Sequence, residues 1–308
     1  RAAAAEEHEH REQADSGRIL RDNVYGTIDE DIWRRDFTVN ALYYNIADFS
    51  VWDYTTGIAD VEARTLRLIG DPETRYREDP VRMLRAARFA AKLGFGIAAD
   101  AVKPIERLGS QLRDVPPARL FDETLKLFHA GHGARSLELL MEHDLLRYLF
   151  PHTVETLEGD IGESALRLIQ DGLANTDRRV REEQPVTPMF LYAVMLWYPI
   201  RHRADEIYKE YDVSRIEALL DACDEISSEQ QGHTAYPRRF SVPMKDMLVM
   251  QQRFENRRGA RSMRLLSHKR FRAAYDFLIL RARCGDADKE LADFWTDVQS
   301  LSEGEQRK

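Results

Sequence analysis

Arg75-Tyr-Arg-Glu-Asp-Pro-Val-Arg-Met-Leu-Arg-Ala-Ala-Arg-Phe-Ala-Ala-Lys-Leu-Gly94 is the stretch on which the reading of this chain turns. Pro80 suits the first helical position and Gly94 a C-terminal cap, so the end signals alone predict a helix from about Pro80 to Leu93, with Asp79 at the N-cap. Asp79 and Arg82 are three positions apart and would share a face at the helix start. They set one hydrogen-bond acceptor beside one planar donor fork. Adenine and cytosine each offer an amino donor next to a ring-nitrogen acceptor. Guanine and uracil present the reverse and would leave both protein groups unpaired, so such a pair selects A or C. The plainer reading is a helix cap followed by a solvated stripe of Arg82, Arg85 and Arg88.

Upstream lies a second constellation, Arg34-Arg-Asp-Phe-Thr-Val-Asn-Ala-Leu42. If a helix begins near Asp36, then Asp36 and Asn40, four apart, lie on one face and offer a carboxylate and an amide to sugar hydroxyls. Arg34 and Arg35 are then available for phosphates. In order and spacing, the two segments resemble the RRDxxxNA and EDxxR motifs of the bacterial poly(A) polymerase and CCA-adding tRNA nucleotidyltransferase family. The resemblance extends to Leu20–Asp31, Phe190–Pro199 and Phe271–Arg281, which look like the poly(A) polymerase branch, and so covers nearly the whole chain.

The resemblance implies a mainly α fold: a remnant of an α/β nucleotidyltransferase head domain, followed by an all-helical neck and body. Its divisions are expected at residues 1–70, 71–145 and 146–308. It implies template-independent addition of adenylates from ATP to an RNA 3′ end, releasing pyrophosphate. CCA addition to tRNA and a non-catalytic RNA-binding helical protein are the alternatives. Asp36 and Asn40 would meet the ribose, Arg34 or Arg35 the triphosphate, and Asp79 and Arg82 the base, while Arg85 and Arg88 join the nucleotide-binding set. Asp36 is also the candidate catalytic carboxylate. Pro117–Lys126 is similar to the next family motif, in which Arg119 and Glu123 would brace the neck.

Family members carry, ahead of these motifs, a Gly-Gly turn and a strand whose DxD pair binds two magnesium ions; neither is found in this sequence. Phosphoryl transfer needs such ions to neutralise the phosphate oxygens, so these residues alone are expected to be inactive and to hold no metal themselves. Asp22, Asp29, Glu30 and Asp31 are nearby acids, but they read as loop and cap residues. His8 and His10 on the glutamate-rich opening read as exposed, and His143-Asp144 as structural.

At 308 residues and 43% hydrophobic, the chain should form two or three domains with a sizeable core. Cys223 and Cys284 exclude a disulfide framework and point to a reducing cytoplasm. No signal peptide is expected, and the apolar run Pro188–Ile200 is too short to span a bilayer, so it reads as a core helix. The net charge of −8 hides an uneven distribution, since Arg238–Arg283 holds thirteen Lys and Arg against Asp246, Glu255 and Asp276. Arg253, Arg257, Arg258, Arg261, Arg264 and Arg272, interleaved with Phe254, Phe271 and Tyr275, are therefore candidate RNA contacts. Expected partners are an RNA 3′ end and ATP, with RNA-decay proteins as a further possibility and no membrane.

Alternation over Phe49–Tyr54 predicts a strand that pairs with a second one over Thr65–Ile69, with Asp60 capping a short helix between them. Beyond Asp71 the spacing is helical throughout. Asn175–Gln184 reads as a charged boundary loop and Ser227–Tyr236 as a flexible link.

Overall fold

The computed structural model describes residues 12–13, 19–21, 27–257 and 263–301. His8, His10, Asp22, Arg258 and Arg261 lie outside them. The chain divides into two compact units, Arg1–Val115 with Leu139–Leu145, and Pro116–Glu138 with Leu146–Lys308.

The first unit carries the described strands. β1 (Glu12–Gln13) pairs antiparallel with β2 (Ile19–Arg21). β3 (Leu42–Tyr44) pairs antiparallel with β4 (Val51–Asp53), Tyr43 facing Trp52. β5 (Thr65–Leu66) pairs not with β4 but in parallel with β6 (Gly96–Ile97), so the expected hairpin-like closure of 49–54 on 65–69 does not form. Asp60, expected as a helix cap, sits inside α2 (Gly57–Glu62) and is buried, accepting hydrogen bonds from Thr38, Thr56 and Arg67. Alternation located the strand but could not choose its partner, because register depends on contacts distant in sequence.

α1 (Ile28–Arg34) starts in a capping box, with Thr27 and Glu30 each satisfying the other's backbone N–H. α3 (Pro72–Glu78) starts at Asp71, whose side chain accepts from the Thr74 N–H, and has Pro72 in its first turn. α4 (Val81–Leu93) ends at Gly94 in the left-handed conformation at φ +65°, as its glycine suggests. It buries Met83, Leu84, Ala87, Ala90 and Ala91, and its small residues allow close approach of its neighbours. The N-cap is Pro80 rather than Asp79. Asp79 is the C-cap of α3, and its Oδ1 accepts from the Val81 N–H. α5 (Ala99–Leu108) completes this unit's long helices.

The described secondary structure of the second unit is all helical. α6 (Pro117–Phe128), α7 (Gly133–Glu142), whose last four residues fall in the first unit, α8 (Leu146–Leu149) and α9 (Pro151–Leu157) lead into three long helices. These are α10 (Gly162–Arg181), α11 (Pro188–Glu210) and α12 (Arg215–Gln230). α13 (Arg238–Phe254) and two further helices, Phe271–Arg283 and Lys289–Ser300, follow.

The charged stretch expected as a boundary is helical as far as Arg181, and its Asp177 is buried, accepting from the Gly133 and Ala134 N–H groups at the start of α7. Ser227–Tyr236 is likewise anchored. Gln230 donates to the Leu149 carbonyl, the Ala235 N–H to that of Pro117, and Tyr236 stacks on Tyr192 at 4.2 Å. Buried hydrogen bonds and an aromatic stack hold a segment that polarity alone marks as loose.

Candidate nucleotide-binding site

Asp36 does not begin an α-helix. It precedes an isolated bridge between Phe37 and Leu68, and its carbonyl accepts from the Ile69 N–H at 3.0 Å. A single 3-10 turn, Thr38–Asn40, follows, so Asp36 and Asn40 do not share a helical face. The turn is fixed from below: the Thr38 hydroxyl donates to buried Asp60, and its N–H donates to the Arg67 carbonyl.

The carboxylate of Asp36 meets α4 instead. Arg82 Nε donates to its Oδ1 and Arg85 Nη1 to its Oδ2, each at 2.8 Å. Burial by itself would raise this carboxyl's pKa, but the Arg85 charge and the hydrogen bond from Arg82 outweigh it and hold the group below the usual carboxylate range. Arg82 is 2% exposed. Its Nη1 also donates to Glu78 at 3.0 Å and to the Arg75 carbonyl at 2.7 Å, while Nη2 takes no part in these bonds. Asp79 Oδ2 stands 4.0 Å from Arg85 Nη1. Asp36, Asp79, Arg82 and Arg85 thus form one cluster. Arg88 lies farther along α4, its guanidinium 4.5 Å from the Phe89 ring centre.

Two residues that spacing did not single out hold the cluster together. Arg75 is buried; its Nη1 donates to Glu78 at 3.0 Å, and its Nη2 donates to the carbonyls of Arg35 at 2.9 Å and Arg34 at 3.4 Å. Glu78 accepts from both Arg75 and Arg82. The signal was present in the helical spacing of 75, 78 and 82, which the break at Asp79-Pro80 obscures.

Arg35, expected at the triphosphate, is engaged locally. It donates to Asp31 at 2.8 Å, to the Asn40 carbonyl at 2.7 Å and to the Tyr43 hydroxyl at 3.1 Å. Arg34 ends α1 beside it. Asp31, read from sequence as a cap or loop acid, accepts from both Arg35 and Tyr43, and these two hydrogen bonds lower its pKa.

Arg119 and Glu123 belong to the second unit, on α6. Glu123 is buried and pairs with Lys126 at 2.8 Å. Of the candidate RNA contacts, Arg257 pairs with Asp288 at 3.4 Å and Arg272 with Asp276 at 3.1 Å. Arg253 and Arg264 are exposed.

Asp36 facing two guanidiniums is a poor start for a metal site, and no group of three or more His, Cys, Asp or Glu among the described residues could hold an ion. The described residues therefore do not fit the expected magnesium pair.

Three family models match in succession: the poly A polymerase head domain over residues 2–67, the probable RNA and SrmB-binding site of polymerase A over 94–157, and the polymerase A arginine-rich C-terminus over 211–308. The chain is 44% identical over 299 residues to poly(A) polymerase I of Salmonella typhi and of Escherichia coli O157:H7, covering 96% of this chain and 64% of each relative. The Haemophilus influenzae protein of the same name is 43% identical over 297 residues, 96% of this chain and 66% of that one. The chain thus spans just under two thirds of the length of these relatives. A CCA-adding enzyme of Leuconostoc citreum is 37% identical over 123 residues, 40% of this chain and 30% of that protein.

Among solved structures, a tRNA-processing enzyme in an apo form aligns over 91% of this chain and 73% of its own, with a TM-score of 0.59 at 21% identity. A tRNA nucleotidyltransferase complexed with a primer tRNA and an ATP analogue aligns over 91% of this chain and 75% of its own, with a TM-score of 0.51 at 21% identity. These two likenesses establish a shared fold.

Proposed function

Since the chain belongs to the bacterial poly(A) polymerase family, we propose that the protein it represents adds adenylates to RNA 3′ ends without a template. The 3′ hydroxyl attacks the α-phosphate of ATP: the new O–P bond forms, the bond between the α-phosphorus and the α–β bridging oxygen breaks, pyrophosphate leaves with that oxygen, and the hydroxyl proton passes to solvent. The observation that carries this reading is the convergence of Asp36, Asp79, Arg82 and Arg85 in one cluster, on segments 46 and 49 positions apart that the family motifs already pair.

In this reading Asp79 supplies the acceptor for the adenine amino group, and Arg82, its Nε and Nη1 fixed by Asp36, Glu78 and the Arg75 carbonyl, presents Nη2 to the ring nitrogen. A donor locked on three sides selects by geometry: a base with the reverse pattern leaves two buried polar groups unpaired. Arg85, more exposed than Arg82, is the arginine that can turn from Asp36 to a phosphate and release the carboxylate. Arg34 is assigned to the triphosphate. Asn40 meets the ribose, and Arg119 and Glu123 brace the neck helices. Magnesium would neutralise phosphate charge when bound.

The arginine-rich segment serves RNA, and RNA-decay proteins are proposed partners. A cytoplasmic setting accords with two buried, free cysteines, and no described helix is long and apolar enough to cross a membrane. Full-length protein incubated with a generic RNA and each NTP in turn tests the reading. Extension to long products with ATP alone is expected. Addition of only two C and one A, confined to tRNA, would replace it with CCA addition, which the match over 40% of the chain keeps as the second reading.

A further inference from the structure

α13 presents Arg238, Val242, Lys245, Val249 and Arg253 on one side, since their helical positions fall within a quarter turn or so of one another. This side lines a cavity of about 390 Å³, whose other wall includes Leu220 and His268. The cavity has an apolar floor, with Val249 buried and Val242 half exposed, and cations at both ends. Lys245 in the middle is paired with Asp224 at 2.6 Å. Arg238 and Arg253, both exposed, make no ion pair among the described residues, although Arg257 and Arg272 do. Asp246 also lines the cavity, so two unpaired arginines stand against one acid.

In a chain carrying 53 acids and 45 bases, unpaired guanidiniums 15 residues apart on one helix are placed for a ligand that brings its own negative charge at intervals. The helix rises about 22 Å over that distance, enough for roughly four nucleotides, the low end of single-strand binding sites. Phosphates at the ends and a base against Val242 match the two kinds of surface present.

We infer that this side of α13 is a single-stranded RNA groove in which Arg238 and Arg253 hold phosphates and the exposed Val242 meets a base. The inference rests on the proposed polymerase reading and moves the RNA contacts from the paired arginines Arg257 and Arg272 to the unpaired ones. It adds Arg238, which opens the basic segment but was not among the candidate contacts.

The test is binding of a fluorescent 20-nucleotide oligoadenylate to full-length protein, followed by anisotropy over a salt series. The double variant Arg238→Gln, Arg253→Gln should lower the slope of log affinity against log salt by about 1.4, at about 0.7 per phosphate contact. Val242→Glu, which puts a carboxylate on an exposed position in the groove, should weaken binding at every salt concentration. Arg257→Gln with Arg272→Gln should shift the slope by less than the first pair. An unchanged slope in the Arg238, Arg253 variant overturns the groove. So does competition by polyglutamate, lost in that variant, combined with an unchanged RNA slope, which would assign the face to an acidic protein segment. The polymerase reading fails on a separate measurement, extension by the wild-type protein with ATP.

Discussion

Replacing Asp36 by Asn keeps the shape of the side chain and removes the charge that two arginines address at 2.8 Å. Each attraction amounts to about 4 kcal/mol for charges 4 Å apart at an effective dielectric of 20, and burial of the three groups takes back much of it. Removing one member of a buried pair typically costs about 3–5 kcal/mol. Asp36 keeps 14% of its side-chain surface and Arg82 keeps Glu78, which places Asp36→Asn at the lower end, about 3 kcal/mol at pH 7.

The pH dependence gives the sharper expectation. Because the folded pKa of Asp36 lies below its unfolded value of about 3.9, its contribution is present above that value and is lost as pH falls through the folded pKa. Protonated Asp36 resembles Asn, so the stabilities of wild type and variant should converge in acid. Urea series at several pH values, read through exchange protection of the Ile69 amide that donates to the Asp36 carbonyl, report on this unit. A variant as stable as wild type at pH 7, or a gap that persists unchanged at pH 2, would refute the assignment of Asp36 to a charged network.

Asp79→Ala in full-length protein should leave ATP binding largely intact while discrimination against GTP falls about tenfold to hundredfold, as for one lost buried match of roughly 1–3 kcal/mol; misincorporation assays measure it. Arg75→Met should raise the KM for ATP and lower the urea midpoint, with Arg75→Lys recovering part of each by restoring one donor; equal behaviour of Met and Lys would deny it a positioning role. His129, half-buried near the end of α6, has its pKa pushed down to about 4 by burial alone. Its contribution to stability is full above about 6.5 and declines as pH falls toward 4, by on the order of 3 kcal/mol, so His129→Leu should flatten the urea midpoint across that window.

The helix Val81–Leu93 was legible because its ends are chemically marked by Pro80 and Gly94. So were the residue types of the site, since Asp36, Asp79 and Arg82 stand in motifs. Their partnership was not legible. Helical spacing relates residues three or four apart, whereas Arg82 meets Asp36 across 46 positions. The ribose face expected from Asp36 and Asn40 assumed a helix that a 3-10 turn replaces, because the segment is pulled onto Leu68, Ile69 and Asp60. The apolar run Pro188–Ile200 read as a core helix, yet α11 runs past it to Glu210 with Pro199 inside, its buried packing outweighing the one backbone hydrogen bond a proline removes.

The guanidinium of Arg75, clasping two consecutive backbone carbonyls while the carbonyl of Arg75 receives Arg82, ties the segment ahead of Asp36 to α4. An enzyme that must insert two different nucleotides in order needs a pocket able to change its question between cycles. A homopolymer requires only that the same question be asked each time. A joint with a single register would suit the homopolymer synthesis proposed above.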